Sequence, residues 1–235
     1  MKHIRLTNDP RKEGSPHFYQ AEDPSKLLVQ GWHVADPGFV PPADEAVVEV
    51  PAALVVEAVC RLAGEVTRTD LVRMLRFFSR SAFRLETLLV YRDDDEQPLF
   101  DHWRATGEIV VDTADEEWQR MIAGHLTAGR TMRRVHLVRQ PLTDYLRWEF
   151  GSQLEFGEDI RVVDLAEHPE LADHPGDYWL FDDRIGVAMR YDADGRLLRC
   201  EPIGDSDIDR CRDWRDLTWQ AGTPLGDFLR RAEAA

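Results

Sequence analysis

Hydrophobic and polar positions along the chain follow two periods, one typical of helices and one typical of strands. Helices are predicted to begin near residues 51, 69, 113 and 141, and again near residues 206 and 225. Strands are predicted over residues 132–138, 159–164, 178–182, 185–191 and 197–203. Residues 82–87 fit a strand or a helix equally well. This order predicts an α+β or α/β fold, with a mixed central β-sheet covered by helices.

Polar residues between these segments predict caps and turns. Thr69 is placed to cap one helix, and Thr113 with Glu116 has the spacing of a capping box at another. Asp182-Asp183 and residues 192–195 have tight-turn chemistry between the last three strands. We therefore expect those strands to form antiparallel hairpins.

The first part of the chain has a weaker pattern. The first two dozen residues contain several chain breakers and little periodicity, so we expect an irregular, partly mobile lead-in. Residues 27–34 and 46–50 predict two short strands followed by a helix, with Gly31 weakening the first strand. We divide the chain into an N-terminal module of residues 1–66 and a main α+β domain of residues 67–235. Two strands and a helix are few for independent folding, so the module is expected to lean on the main domain.

Composition narrows the class of protein. The 235 residues are 43% hydrophobic and 31% charged, which favours a packed core over global disorder. No run approaches the roughly 18 apolar residues of a membrane span, and the first residues lack the apolar stretch of a signal peptide. The three cysteines have no CxxC spacing and favour reduced thiols. We therefore expect a cytoplasmic protein that makes no contact with a membrane.

The net charge of the chain indicates which kinds of molecule it can bind. The chain carries 44 acidic and 29 basic residues, a formal net charge of −15. Such a field opposes phosphate contacts, so direct binding of nucleic acid is not expected.

Acidic residues are densest between positions 158 and 183, where Arg161 is the one arginine or lysine. The nine acids are Glu158, Asp159, Asp164, Glu167, Glu170, Asp173, Asp177, Asp182 and Asp183. They could form a cation site or a surface for a basic partner, or a solvated loop with turn-forming aspartates. His168 and His174 lie in the same stretch, but their spacing fixes no shared face, and we predict no metal site.

Basic residues cluster just after the third predicted helix. The cluster consists of Arg130, Arg133, Arg134, His136 and Arg139. These arginines could grip a phosphate or carboxylate bidentately, or pair with the chain's own acids, among them the 158–183 run. Arg84 with Glu86 and Arg147 with Glu149 are further candidate internal ion pairs, since a buried charge needs a partner.

Motifs for catalysis are missing from the sequence. Residues 150–154 fail the GxSxG pattern at the last position, and no phosphate-cradling glycine motif occurs. Cys60 lies on the apolar side of its predicted helix. We therefore assign no catalytic residue and no cofactor, and we do not expect an enzyme.

Three ordered motifs carry a family resemblance. They are Phe83-Arg84-Leu85-Glu86-Thr87 with Tyr91; residues 141–147 through 157–161; and residues 178–183 with Met189, Tyr191, Gly195 and Trp214. Residues 70–230 thereby resemble an actinobacterial family of unknown function that is commonly encoded beside Xre-type helix-turn-helix regulators. Residues 18–55 resemble a small module from the same gene neighbourhoods. The resemblance implies a regulator as partner and no known catalytic residues.

The element order from residue 116 to 203 is also similar to a half-domain of the phospholipase D fold, which some bacterial regulators use without catalysis. Catalysis in that superfamily needs an HxK motif, and His136-Leu137-Val138 lacks the lysine. The resemblance therefore implies a non-catalytic half-domain.

Two functions follow as hypotheses. The first is a non-enzymatic accessory or regulatory protein that contacts a helix-turn-helix transcription regulator. The alternative is a sensor or enzyme for a phosphorylated or carboxylated small molecule held by arginines. Homodimerisation through the C-terminal helices is compatible with both. The candidate ligand or interface residues are Arg84, Glu86, Tyr91, Arg133, Arg139, Asp144, Tyr145, Arg147, Glu158, Asp159, Trp179, Asp182 and Asp183.

Overall fold

The computed structural model describes residues 4–5, 16–20, 27–38, 40, 46–50, 52–154 and 156–234. These residues form seven α-helices and three β-sheets. The helices are α1 (Ala52–Ala63), α2 (Arg68–Phe77), α3 (Gln97–Thr106), α4 (Thr113–Thr127), α5 (Asp144–Gln153), α6 (Asp205–Ala221) and α7 (Leu225–Ala234). A 3₁₀ helix spans Pro169–Leu171.

The largest sheet has seven strands. They are β6 (Ser81–Glu86), β7 (Thr131–Val138), β8 (Asp159–Asp164), β9 (Tyr178–Phe181), β10 (Ile185–Tyr191), β11 (Leu197–Pro202) and β12 (Thr223–Pro224). Their order is β11-β10-β9-β6-β7-β8-β12, with β6, β7 and β8 parallel and the other neighbours antiparallel. The predicted mixed central sheet and the α+β class are confirmed, and of the ambiguous residues 82–87 all but Thr87 belong to strand β6.

Small sheets occupy the N-terminal region. A three-stranded sheet holds β1 (Ile4–Arg5), β2 (His17–Gln20) and β3 (Leu27–Gln30), and a two-stranded sheet pairs β4 (Trp32–His33) with β5 (Val48–Glu49). The strand predicted over residues 27–34 is split at Gly31, where a Cβ atom would lie 2.6 Å from the Glu49 carbonyl oxygen.

The predicted irregular lead-in is wrong where it can be compared. Residues 4–5 and 17–20 pair as β1 and β2, because a partner strand satisfies their backbone groups despite the weak local pattern. The rest of the lead-in lies outside the described residues. Helix α1 buries Ala53 and Cys60 in the same hydrophobic cluster as Phe181 of β9. The boundary at residue 66 stays a prediction.

Two helix caps differ from the predicted ones. Thr67, not Thr69, caps α2, and its hydroxyl accepts the Asp70 N–H at 3.1 Å. A capping box also precedes α4, but it joins Asp112 to Asp115 in place of Thr113 and Glu116. In each segment the N-cap is the residue with extended backbone, Thr67 before α2 and Asp112 before α4. Helix α3 was not predicted, since its segment mixes apolar and polar positions.

Side chains on the two faces of the central sheet differ in character. On one face, which we call the apolar face, Phe83, Leu85, Val135 and Leu137 pack with Ile208 of α6. The alternate residues of β6 and β7 lie on the opposite face, which we call the polar face. Two hydrophobic clusters cover that face, one around α1 and α2 and the other around α5 and α7. Polar groups are concentrated between these two clusters.

No helix in the described part of the chain is long and apolar enough to cross a membrane. The three cysteines, Cys60, Cys200 and Cys211, are free and buried.

Candidate functional site

Strand register brings four charged or polar side chains together on the polar face. In the parallel pairing of β6 with β7, Arg84 lies beside Arg134, and Glu86 lies beside His136. Strand β9 places Trp179 next to Arg84 on the other side. Residues two apart on a strand point to the same face of the sheet. The pairing of the strands alone therefore places these side chains together, without any residue from a loop.

The two arginines are held by buried carboxylates. Arg84 Nε lies 3.2 Å from Glu86 Oε1, and Arg84 Nη2 lies 3.5 Å from Asp177 Oδ2. Arg134 Nη1 and Nη2 lie 2.8 Å from Glu86 Oε2 and 3.0 Å from Glu158 Oε2. Each guanidinium is thus shared by two acids, and the predicted Arg84–Glu86 pair is confirmed. Burial raises the pKa of Glu86, but Arg134 and Arg84 outweigh it and lower that pKa to about 2.

Hydroxyl groups complete the coordination of Asp177 and Arg84. Tyr91 donates its hydroxyl hydrogen to Asp177 Oδ2 at 2.6 Å, and the Thr87 hydroxyl donates to Oδ1 at 2.6 Å. The Tyr191 hydroxyl accepts from Arg84 Nη2 at 3.0 Å. Burial raises the pKa of Asp177 above its usual value, against the lowering effect of Arg84 and these hydrogen bonds. These hydrogen bonds therefore connect the network to the segment after β6, which holds Thr87 and Tyr91, and to the segment before β9, which holds Asp177.

His136 joins the network to helix α5. Its Nε2 atom lies 3.1 Å from Glu86 Oε2 and 3.1 Å from Gln153 Oε1. Burial lowers the pKa of His136 to about 4, so the ring is neutral near pH 7. Gln153 Nε2 in turn donates to Glu149 Oε1 at 3.1 Å.

Glu149 is the one carboxyl group of this network that makes no ion pair with an arginine among the described residues. Its Oε2 atom has no hydrogen-bond partner among the described residues, although the residue is only 8% exposed. Burial raises the pKa of Glu149 well above its usual value, and the Glu86 charge adds to the effect. The predicted Arg147–Glu149 pair is wrong: Arg147 is exposed and lies 3.9 Å from Asp144. Residues two apart on a helix point to different sides.

A cavity of about 500 Å³ opens beside this network. Arg84, Glu86, Arg134 and Glu149 are among its lining residues. Seven aromatic residues also line it: Tyr91, Trp118, Tyr145, Trp148, Phe156, Trp179 and Tyr191. The Trp148 Nε1 atom is buried and has no partner among the described residues. The volume and the mixed apolar and polar wall are those of a small-molecule site.

Acidic residues predominate among the other charged groups of the wall. Asp93, Asp95, Glu96, Asp112 and Asp115 line the cavity with Arg68 and Arg92. Arg68 pairs with Asp93 at 2.5 Å. Glu96 is exposed as a whole, but its carboxyl group accepts a hydrogen bond from Tyr145 at 3.4 Å. Partial burial, together with the charge of Asp93, raises the pKa of Glu96 to about 7.

Three of these residues also have metal-ligating side chains. Ligand atoms of Glu86, His136 and Glu149 lie within 4.8 Å of one another. However, Arg134 Nη1 is bonded to the Glu86 oxygen that faces His136, and Gln153 shares the His136 nitrogen. A metal ion would have to compete with the guanidinium, so the present arrangement suits the hydrogen-bonded network better.

Of the thirteen candidate residues, five line the cavity: Arg84, Glu86, Tyr91, Tyr145 and Trp179. Glu158 lies against them through Arg134. Arg133 lies on the opposite face, 4.6 Å from the Trp219 ring. Arg139 and Asp159 are exposed, as are Asp144 and Arg147 at the start of α5.

The two remaining candidates form the turn between β9 and β10. Asp182 and Asp183 have φ values of 53° and 60°. The Asp182 carboxylate accepts the backbone N–H groups of Ser79 and Ser81, at 3.0 and 3.1 Å. Asp183 pairs with Arg215 of α6. Both aspartates therefore stabilise the predicted hairpin, and neither is among the residues that line the cavity.

Several residues of the site were missed as candidates. Arg134, His136 and Glu149 were recognised only as parts of a basic cluster or an ion pair, and Asp177 only as one of an acidic run. A signal was present, because Arg84/Glu86 and Arg134/His136 are both polar pairs two residues apart in otherwise apolar segments. The lining residues Trp148 and Gln153 gave no such signal, since their role depends on how α5 packs.

Comparison with known proteins gives one match. A family model described as "Domain of unknown function (DUF6879)" matches residues 69–230. That range includes the whole polar network and every residue that lines the cavity except Arg68. No curated protein and no solved structure matches the chain.

Proposed function

The chain belongs to the DUF6879 family of unknown function, and we propose that it is a non-enzymatic regulatory protein that senses a small ligand. The observation that carries this proposal is the 500 Å³ cavity, whose lining includes three residues with a buried polar atom that has no partner among the described residues: Arg134, Trp148 and Glu149. A buried polar group without a partner costs about 1–3 kcal/mol. A ligand that bonded to them would offset this cost, which supports a binding role for the cavity.

The state of the reactive side chains supports binding over catalysis. Burial raises the pKa values of Cys60 and Cys211 to about 11 and also raises that of Cys200, so none is a ready thiolate. His136 is neutral and already bonded to Gln153. These described residues include no activated nucleophile of the kind that covalent catalysis uses.

The arginines do not favour the alternative, an anion-binding sensor or enzyme. Arg84 and Arg134 line the cavity, but each is already shared by two carboxylates. Arg133 packs over Trp219 on the other face. A phosphate or carboxylate ligand would have to displace internal acids that hold the same guanidinium groups.

We propose that the ligand signal is passed on by protein contact with a helix-turn-helix transcription regulator. The resemblance to a family encoded beside such regulators suggests this partner. The net charge of −15 supports it, because an acidic protein suits a basic DNA-binding partner better than DNA itself. Three free, buried cysteines support the proposed cytoplasmic location.

A thermal-shift screen against a broad metabolite panel tests the sensing function. A ligand at a hundred times its Kd should stabilise the protein by about 2.7 kcal/mol. Trp148→Phe removes one unpartnered donor from the cavity and should reduce the shift. The matched control is Trp32→Phe in β4, where the tryptophan is 51% exposed and away from the cavity lining. A panel in which no compound shifts Tm would refute the sensing function.

Affinity capture from the native host tests the proposed partner. The tagged full chain should recover a helix-turn-helix regulator, and addition of a ligand from the screen should change the recovered amount. The partner is wrong if no regulator is recovered and the purified chain itself binds DNA with a steep salt dependence.

A further inference from the structure

We infer that the ligand of the cavity is an organic cation, an amine or a guanidine, whose charged nitrogen pairs with Glu149. This inference rests on the proposed sensing function and names the chemical class of its ligand. It is argued from the charge balance of the buried groups, the position of Glu149 and the wall of the cavity.

Buried acids outnumber buried bases in the network. The four carboxyl groups of Glu86, Glu149, Glu158 and Asp177 face the two guanidiniums of Arg84 and Arg134, and in the absence of a bound cation burial raises the pKa of Glu149 well above its usual value. His136 adds no charge, because its ring is neutral near pH 7. A monovalent cation would bring this balance closer to neutrality, whereas an anion would increase the imbalance.

One of the four acids has no arginine partner. Glu86, Glu158 and Asp177 each pair with an arginine. Within the described part of the chain, Glu149 makes no ion pair, and its one polar side-chain contact is the neutral Gln153 amide at Oε1. Its Oε2 atom is left for a donor. Glu149 lines the cavity, so that donor can come from a ligand.

The aromatic wall suits a cation. One cation–π contact is already present in this wall, where the Arg84 guanidinium lies 5.3 Å from the centre of the Trp179 ring. Tyr145 and Trp148 lie edge to face at 5.6 Å, and Tyr91 and Tyr191 at 5.3 Å. Aromatic faces around a carboxylate bind ammonium and guanidinium groups and leave room for an apolar body.

The other charged residues that line the cavity also favour a cationic ligand. They are five acids and two arginines, and Arg68 is paired with Asp93 and Asp95. With the chain's net charge of −15, this field draws cations toward the opening and repels anions.

The test uses three probes that share a phenyl ring and a two-carbon chain. These probes are 2-phenylethylamine, 2-phenylethanol and 3-phenylpropionate, which are cationic, neutral and anionic near pH 7. Agmatine and spermidine add a guanidine and a polyamine, and phenyl phosphate adds a second anion. MnCl₂ and ZnCl₂ test an inorganic cation at the Glu86, His136 and Glu149 cluster. Each is titrated into the full chain by isothermal calorimetry.

Glu149→Gln is the decisive variant, because it removes the charge and keeps the shape. It should weaken the binding of the best amine or guanidine about ten- to a hundredfold, the loss expected for one charged hydrogen bond. Glu116→Gln, at an exposed position of α4, is the matched control and should leave binding unchanged. Melting curves of both variants check that each is folded.

The outcomes separate this inference from the proposed function. Binding of amines or guanidines that depends on Glu149 supports the inference. Binding of anions alone, of the neutral probe alone or of the metal ions alone overturns it. An amine that binds equally well to Glu149→Gln also overturns it. The sensing function itself fails only if the broad metabolite screen gives no shift, so the two failures are distinguishable.

Discussion

The two faces of the central sheet are built from the same strands and differ sharply in what they bury. On the apolar face, Leu85 and Val135 belong to a continuous hydrophobic cluster under α6. On the polar face, their chain neighbours Glu86 and Arg134 form a buried ion network beside a cavity. A step of one residue along each strand separates a structural surface from a candidate binding surface.

The two faces differ in how their buried side chains contribute to stability. Hydrophobic side chains stabilise the apolar face in proportion to the area that they bury. Buried ion pairs are weak contributors to stability, since desolvation offsets much of their attraction. A fold that needed only stability could bury apolar residues on both faces. Glu149, which has no ionic partner among the described residues, lies on the polar face, where we propose that the ligand binds.

The largest expected effect is on the polar face, where one partner of a network is removed. Arg134→Ala leaves Glu158 without its arginine and takes one of two arginines from Glu86. We expect the free energy of unfolding to fall by about 3–5 kcal/mol. Urea unfolding measures this change. A loss below about 1 kcal/mol would show that water reaches the charged groups of the network, as it does in surface ion pairs.

A comparable but smaller loss is expected on the apolar face. Leu137→Ala removes a fully buried side chain from the cluster under α6. The cavity that remains should cost about 2–5 kcal/mol, again measured by urea unfolding. Binding of cationic probes should be unchanged at temperatures where the variant is folded. Weaker binding in the folded variant would contradict the separation of the two faces.

The titration of Glu96 should make the stability of the folded chain depend on pH. Its pKa is raised from 4.5 to about 7 in the folded chain, so the folded state binds more protons between these values than the unfolded state. This group therefore contributes stability that is complete below about pH 4.5 and is lost as the pH rises to about 7. Melting temperatures of the wild type and Glu96→Gln, compared across this window, isolate the contribution. A constant difference between the two would show that Glu96 titrates normally.

The smallest effect is expected at Arg133, the chain neighbour of Arg134. Its guanidinium lies over Trp219 on the apolar face and is exposed to solvent. Arg133→Ala should cost about 0.5–1 kcal/mol, the range of an exposed cation–π contact. Two adjacent arginines would thus differ several-fold in their effect on unfolding. Equal losses for Arg133→Ala and Arg134→Ala would remove the distinction between the faces.

Much of the fold could be predicted from the sequence, because its main strands carry strong local signals. Residues 159–164 and 185–191 are strands with the predicted bounds, and the turn at Asp182-Asp183 forms the expected hairpin. Helix α3 was not predicted, because its segment mixes apolar and polar positions, and the contact of Phe100 with Trp148 of α5 exists only in the folded chain. The caps were misplaced by one or two residues, where neighbouring threonines and aspartates compete for one position.

The site was predicted only in part, because it depends on register and packing. Arg84 and Glu86 could be recognised as a buried pair from their spacing in an apolar strand. Their partners Asp177 and Glu158 come from distant positions, and no local pattern shows which member of an acidic run turns inward. The unpartnered state of Glu149 becomes visible only once Arg147 is found on the outer side of α5.

A crystal structure of the full chain with the tightest cationic probe tests the central claim most directly. The account predicts the probe in the cavity beside β6 and β7, with its nitrogen in hydrogen-bond distance of Glu149 Oε2 and its body against the aromatic wall. A saturated crystal in which the probe lies elsewhere, or contacts the arginines through an anionic group while Glu149 has no partner, would contradict it.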